Sequence, residues 1–204
     1  MAKPKRKRKK SASSSEVKTS KRGGFPTKYV IYGLAVLALA GAVYGFFSGQ
    51  EQASAFAALA EEGRATLTKV KTHNNEGRNH VPPGTRISYG TNPPTSGSHF
   101  PTWVDPGFYE TAKGRSNLVH SLEHGMIVFH YDAPGAEVLE TLRDWTGLFN
   151  GPWSGIVAVK RAGLGEKLIF TAWRRTLRLD RFDAKAAAAF IDAYRGRGPE
   201  NPVR

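Results

Sequence analysis

Residues 29–50, YVIYGLAVLALAGAVYGFFSGQ, carry no charged side chain, and this run constrains the chain more than any other feature. A helix of its most apolar 19 residues spans roughly 28 Å, close to the hydrocarbon thickness of a bilayer. Tyr29, Tyr32, Tyr44, Phe46 and Phe47 stand near its ends, where amphipathic rings suit the lipid–water boundary. Residues 1–28 hold eleven basic side chains against one acid, Glu16, while Glu51, Glu61 and Glu62 follow the run. The positive-inside rule then predicts a single-pass cell-membrane protein, with a cytoplasmic N-terminus and everything beyond Gln50 outside the cytoplasm. A cleaved signal peptide is the alternative, with Ala53–Ala55 (ASA) as processing site. The apolar run exceeds the roughly 7–15 residues usual for such a signal, which favours an uncleaved anchor. Either way the C-terminal part is extracytoplasmic.

The net charge of +13 suggests nucleic acid until it is located. Residues 1–28 contribute +10 of it, and the rest of the chain is close to balanced. Residues 1–24 have almost nothing apolar to bury and no aromatic ring on which a base could stack. The expectation is a disordered cytoplasmic tail that meets anionic inner-leaflet lipids, and no nucleic-acid partner. Cysteine is absent, which excludes disulfides, a thiolate nucleophile and Cys-ligated zinc. With only Met1 and Met126 as thioethers, a methionine-rich copper(I) carrier is also disfavoured.

After the run, residues 51–76 are rich in Ala, Glu, Leu and Lys and read as a helical stalk and linker. Gly77, Pro82, Pro83 and Gly84 break the periodicity, and a compact extracytoplasmic domain is expected over 77–198 with a loose polar tail over 199–204. Within it we expect a strand near 86–89 and then a long loop held by prolines and pinned by Phe100, Trp103, Phe108 and Tyr109. A short helix over 118–124 follows, capped by Asn117 and ended by Gly125. MIVFHY reads as a strand, 135–149 as a helix, GIVAVK and KLIFTAW as two strands, and the segment from Asp183 to Gly196 as a closing helix. WRRTLRLDRFD reads as an alternating charged edge. The predicted fold class is α+β: one transmembrane helix, a helical stalk, then mainly antiparallel sheet with helices on one face.

The chemistry concentrates in NLVHSLEHGMIVFHY, residues 117–131. On a helix, His120 and His124 share one face a turn apart, a spacing at which two imidazoles hold one divalent metal. Glu123 can act as ligand, supporting partner or base. His99, on the preceding loop in PPTSGSHF, offers a third ligand, with Thr95, Ser96 and Ser98 as candidates to orient it. His80 is a further candidate. His130 alternates with Met126 and Val128 and reads as a core or edge histidine, and His73 as a hinge residue with no specific role. His-x-x-Glu-His is also the signature of one metallopeptidase class, in which a distant Glu completes the zinc shell. The candidates for that Glu here are Glu137, Glu140, Glu166 and Glu200, of which Glu200 falls in the expected loose tail. Those enzymes are much larger than this domain. No phosphate-binding loop or nucleophile elbow is present, so no nucleotide or organic cofactor is expected.

Five stretches, GRNHVPPGT, YGTNPPTSGSHFPTWVDPGFY, LVHSLEHGMIVFHY, TAWRR with LRLDRFD, and FIDAYRGRGPE, resemble in that order a bacterial family known as domain of unknown function 3105. The resemblance covers residues 78–200 and implies a short cytoplasmic tail, one span and an exported domain. It places the family's motif histidines on His80, His99, His120 and His124, with Glu123 between the last two. Ser98 and Met126 depart from the commoner SGPH and LEHGG, and Met126 brings a thioether near the motif. No activity follows from the resemblance.

Three functional readings emerge, in order. The first is a membrane-anchored domain binding copper or zinc through His99, His120 and His124, with Glu123 or His80 in support. The second is a non-enzymatic cell-envelope interaction domain whose histidines form a structural hydrogen-bond network and whose partner is an envelope protein. The third is a membrane-bound, metal-dependent hydrolase with Glu123 as base; the sequence leans away from an enzyme.

Overall fold

The computed structural model describes the backbone of residues 27–204, and side chains at Ile31, Tyr32, Leu34 and Ala38 and from Gly49 onward. The expected basic tail lies, up to residue 26, outside the described residues. The chain divides into two units, residues 1–44 and 45–204. Helix α1 (Thr27–Glu62) supplies the described part of the first. Among the described residues no helix is long and apolar enough to cross a membrane, and most side chains of the uncharged run lie outside that set.

The second unit is built on one six-stranded sheet. After a 3-10 turn (Arg64–Lys69) come β1 (Lys71–Thr72), β2 (Gly107–Tyr109), α2 (Arg115–Glu123), β3 (Ile127–Tyr131), α3 (Ala136–Leu148), β4 (Ile156–Lys160), β5 (Leu168–Ala172), β6 (Arg175–Leu179) and α4 (Ala184–Tyr194). The strand order is β1-β6-β5-β3-β4-β2. Strand β4 runs parallel to both β3 and β2, whereas the β3–β5, β5–β6 and β1–β6 pairs are antiparallel. The sheet is therefore mixed, which corrects the expected mainly antiparallel one. The reason is α3, whose 13 residues carry the chain back across the sheet and return β4 parallel to β3. Strands β4 and β5, consecutive in the chain, lie on either side of β3.

The period-2 alternation of β3 and β4 sorts the core into two layers. Ile127, Phe129 and Tyr131, with Ile156 and Ala158, face a cluster that includes Leu142 and Trp145 of α3 and Phe190 and Ile191 of α4. Phe129 and Phe170 meet edge to face at 4.7 Å, both fully buried; each is worth about 1.5–3 kcal/mol of transfer free energy. Val128, Val157 and Val159 face the other way, onto Leu118 and Leu122 of α2 and Met126. Helices thus cover both faces of the sheet, where one face was expected. A Val-rich strand buried on both sides is what such a sheet demands.

The segment read as a stalk supplies core to this unit. Phe56 and Ala60 are buried in the first layer, Phe56 edge-on to Trp145 and Phe149, and β1 closes the sheet against β6. His73 reinforces this edge, its Nε2 3.0 Å from Thr176 Oγ1 and its amide donating to Arg174 O. The expected strand over 86–89 is irregular backbone, while β2 falls in the expected loop. Strand β6 is the charged alternating stretch: Leu177 and Leu179 point into the core and Arg178 outward. In α4, Asp183 accepts from Ala186 N as cap and Gly196, at φ +74, follows the end, as the sequence predicts.

Candidate metal centre

Helix α2 begins two residues before the expected cap, with Gly114 at the N-cap. Asn117 instead donates from Nδ2 to the carbonyl and hydroxyl oxygens of Thr102, both at 2.8 Å. Ser116 Oγ accepts from Phe100 N, and Ser121 Oγ accepts from Val104 N while donating to Val104 O. These three polar residues latch loop 100–104 along the helix. They were missed as functional residues; their only signal in the sequence is small polar residues repeated inside an otherwise apolar and ionisable helix. Gly125, at φ +95, ends the helix as anticipated.

The latched loop brings His99 to α2. His99 is fully buried, and Val81 N donates to His99 O while His99 N donates to Asn79 O, which sets His80 beside it. His99 Nδ1 lies 2.8 Å from Gly97 O. A carbonyl can only accept, so Nδ1 carries the proton. The same holds for His120 Nδ1 against Phe100 O at 2.9 Å and His124 Nδ1 against Pro152 O at 3.2 Å. In the neutral imidazoles this leaves three Nε2 lone pairs free. Of the residues expected to orient His99, Ser96 Oγ instead accepts from Glu76 N and the backbone carbonyl of Ser98 accepts from Tyr89 OH, while Gly97 O is what holds the His99 ring.

The free nitrogens face carboxylates. Glu123 Oε2 is 2.9 Å from His99 Nε2 and 3.6 Å from His80 Nε2. Glu200 Oε2 is 3.1 Å from His124 Nε2 and 3.8 Å from His120 Nε2. Two ligands of one tetrahedral zinc ion stand about 3.3 Å apart at ordinary bond lengths. The four separations bracket that value. Two groups result, His80–His99–His120–Glu123 and His120–His124–Glu200, each with ligand atoms within 4.8 Å of one another. These His and Glu groups, buried except for His80 and Glu200, can hold a metal ion. His120 is common to both, but with Nδ1 committed to Phe100 O it has one lone pair to give. Assigned to the first group it completes four ligands; assigned to the second it completes three and leaves a tetrahedral position open.

All five predicted residues, His80, His99, His120, Glu123 and His124, therefore converge. Glu200 is the residue the sequence undervalued. Its segment is not loose: Gly196 N donates to Gly125 O, Arg78 Nη1 donates to Pro199 O, and Glu200 N donates to Glu123 O at 3.4 Å. Gly198 permits the approach, since a Cβ there would stand 2.1 Å from Glu123 O and 2.2 Å from Gly125 N. Glu137, Glu140 and Glu166 belong to neither group, and Met126 packs in the second core layer rather than in them.

Burial lowers the His120 pKa to about 4, with His124, His99 and His80 adding to the shift and the Phe100 carbonyl opposing it. His120 is thus a neutral imidazole at neutral pH. His124 is flanked by two indoles, Trp153 stacked at 4.1 Å and Trp103 at 4.6 Å. Trp103 is one of the few large apolar side chains exposed among the described residues. His130, by contrast, is buried on β3 away from the cluster, where burial first and then Arg161 and Arg178 hold its pKa down at about 3.

Neither a curated protein nor a solved structure matches the chain. A family model does match, over a stretch that opens at His80 and so contains every ligand candidate of both groups. The chain belongs to that family, described as protein of unknown function (DUF3105), through residues 80–204.

Proposed function

We propose that this is a membrane-anchored, extracytoplasmic protein that binds a divalent transition metal, zinc or copper(II), in its His/Glu cluster. One observation carries the metal. Three buried histidines each spend Nδ1 on a backbone carbonyl, and their Nε2 lone pairs then meet carboxylate oxygens at 2.9–3.8 Å. Two acceptors at such a distance repel unless a cation lies between them. Fixing the second ring nitrogen by a carbonyl is also how metal-bound histidines are oriented. Imidazole and carboxylate donors without thiolate suit zinc and copper(II). For the anchor, support comes from the uncharged run and its basic flank, and from Ile31, Tyr32 and Leu34, which expose 59, 65 and 63% of their surface.

The test is to purify the full chain, strip and reconstitute it, and measure bound metal by mass spectrometry. About one equivalent of zinc or copper is expected, lost in the His120→Ala/His124→Ala variant. Substoichiometric metal with no thermal stabilisation would leave a proton as the bridging cation, and with it the structural histidine network.

Glu200 favours a hydrolase as the second reading, because it supplies the distant carboxylate that His-x-x-Glu-His requires. Against it, Glu123 Oε2 is already engaged by His99 rather than free to take a proton from water. Peptide turnover by the zinc-loaded chain, abolished in Glu123→Gln with zinc retained, would establish that reading.

A further inference from the structure

On the second face of the sheet, in a place that shares no lining residue with the His/Glu cluster, Leu118 and Leu122 of α2 and the buried Pro93–Pro94 pair stand over Val159, Thr171 and His130. They enclose a cavity of 190 Å³. Its rim carries Lys113, Arg115, Lys160 and Arg161, and no acidic residue lines it. None of these four cations makes a salt bridge among the described residues. Arg161 Nη2 donates to Asn92 Oδ1, a neutral acceptor, while Lys113 and Arg115 lie over the rings of Tyr109 and Tyr89. Uncompensated guanidinium charge sharing one cavity is a recognition device for anions.

His130 is a second and independent sign. It is 4% exposed and lines the cavity. An imidazole on a cavity wall has a ring N–H to offer to whatever occupies the cavity.

We infer that this cavity binds a small organic carboxylate with a short apolar body. The guanidinium groups of Arg115 and Arg161 meet the carboxylate, His130 supplies an N–H donor, and Leu118, Leu122, Val159 and the two prolines contact the apolar part. The volume falls below the roughly 300–1,000 Å³ of drug-sized sites, which limits the ligand to a few carbons beyond the carboxylate. Inorganic phosphate would satisfy the cations and leave the apolar wall unused.

The probes are pentanoate, pentanol and inorganic phosphate, titrated calorimetrically into the detergent-solubilised full chain with and without a chelator. Saturable one-to-one binding of pentanoate is expected, unchanged by the chelator, with no binding of pentanol or phosphate. Arg161→Gln and Arg115→Gln, both at the rim, should each weaken it roughly tenfold or more with the circular dichroism spectrum unchanged. Absence of saturable pentanoate binding to the folded protein, equal binding by phosphate, indifference to both arginine substitutions, or loss of binding on chelation would each overturn the inference.

Discussion

His99 Nε2 stands 2.9 Å from Glu123 Oε2 while His99 Nδ1 is held by the Gly97 carbonyl. The pair joins a loop to a helix, and it has no net attraction without a proton or a metal ion between the two atoms. Glu123→Gln replaces the carboxylate by an amide that can donate to His99 Nε2 on its own. On the metal reading, zinc affinity measured by chelator competition should fall by about 10–100-fold while the zinc-free melting temperature holds or rises. A lower melting temperature with no zinc effect would instead mark a structural network.

The Glu200 contact depends on a glycine. Because a Cβ at Gly198 would overlap Glu123 O and Gly125 N, Gly198→Ala must push the C-terminal segment off α2. We expect a loss of about 1–3 kcal/mol in urea unfolding, as for other overpacked sites. Metal affinity should drop as far as it does in Glu200→Gln. If Gly198→Ala binds metal normally, Glu200 is not a ligand.

Residues before the family match contribute to the core. Phe56→Ala removes a buried ring from between Trp145 and Phe149 and should cost about 3–5 kcal/mol. A chain beginning at residue 77 also lacks β1, and should unfold at much lower denaturant than one beginning at residue 45. Equal midpoints for the two would show that this packing is dispensable.

His130 makes stability depend on pH. Its folded pKa is lowered from 6.5 to about 3, so between those values the unfolded chain binds more protons than the folded one. The contribution is fully present above pH 6.5 and is lost as pH falls toward 3, at up to about 1.4 kcal/mol per pH unit. His120, lowered to about 4, acts in the same direction over a narrower window. Urea titrations at several pH values should show this slope, and His130→Phe should flatten it; an unchanged slope in that variant would assign the effect elsewhere.

The lack of cysteine makes orientation testable with single introduced thiols. In intact cells Lys167→Cys should react with an impermeant maleimide and Ser13→Cys should react only after lysis. The reverse pattern would overturn the extracytoplasmic placement.

Local pattern determined much of this protein. Period-2 and period-3.6 hydrophobicity marked β3, β4, β5, α3 and α4, and the glycine stop after α2 followed from its backbone preference. His120, Glu123 and His124 were legible as a unit because a helix fixes their spacing whatever surrounds it. Tertiary structure alone decided the rest. Parallel pairing of β3 with β4 depends on where α3 returns the chain, and the inward turn of the charged strand β6 depends on its neighbours. Glu200 reached His124 because the backbone at Gly196 and Gly198 meets the end of α2 and Arg78 Nη1 holds Pro199 O, contacts that leave no periodicity in the residues making them. Side-chain chemistry near in sequence is set by local geometry, whereas the meeting of distant groups is set by packing.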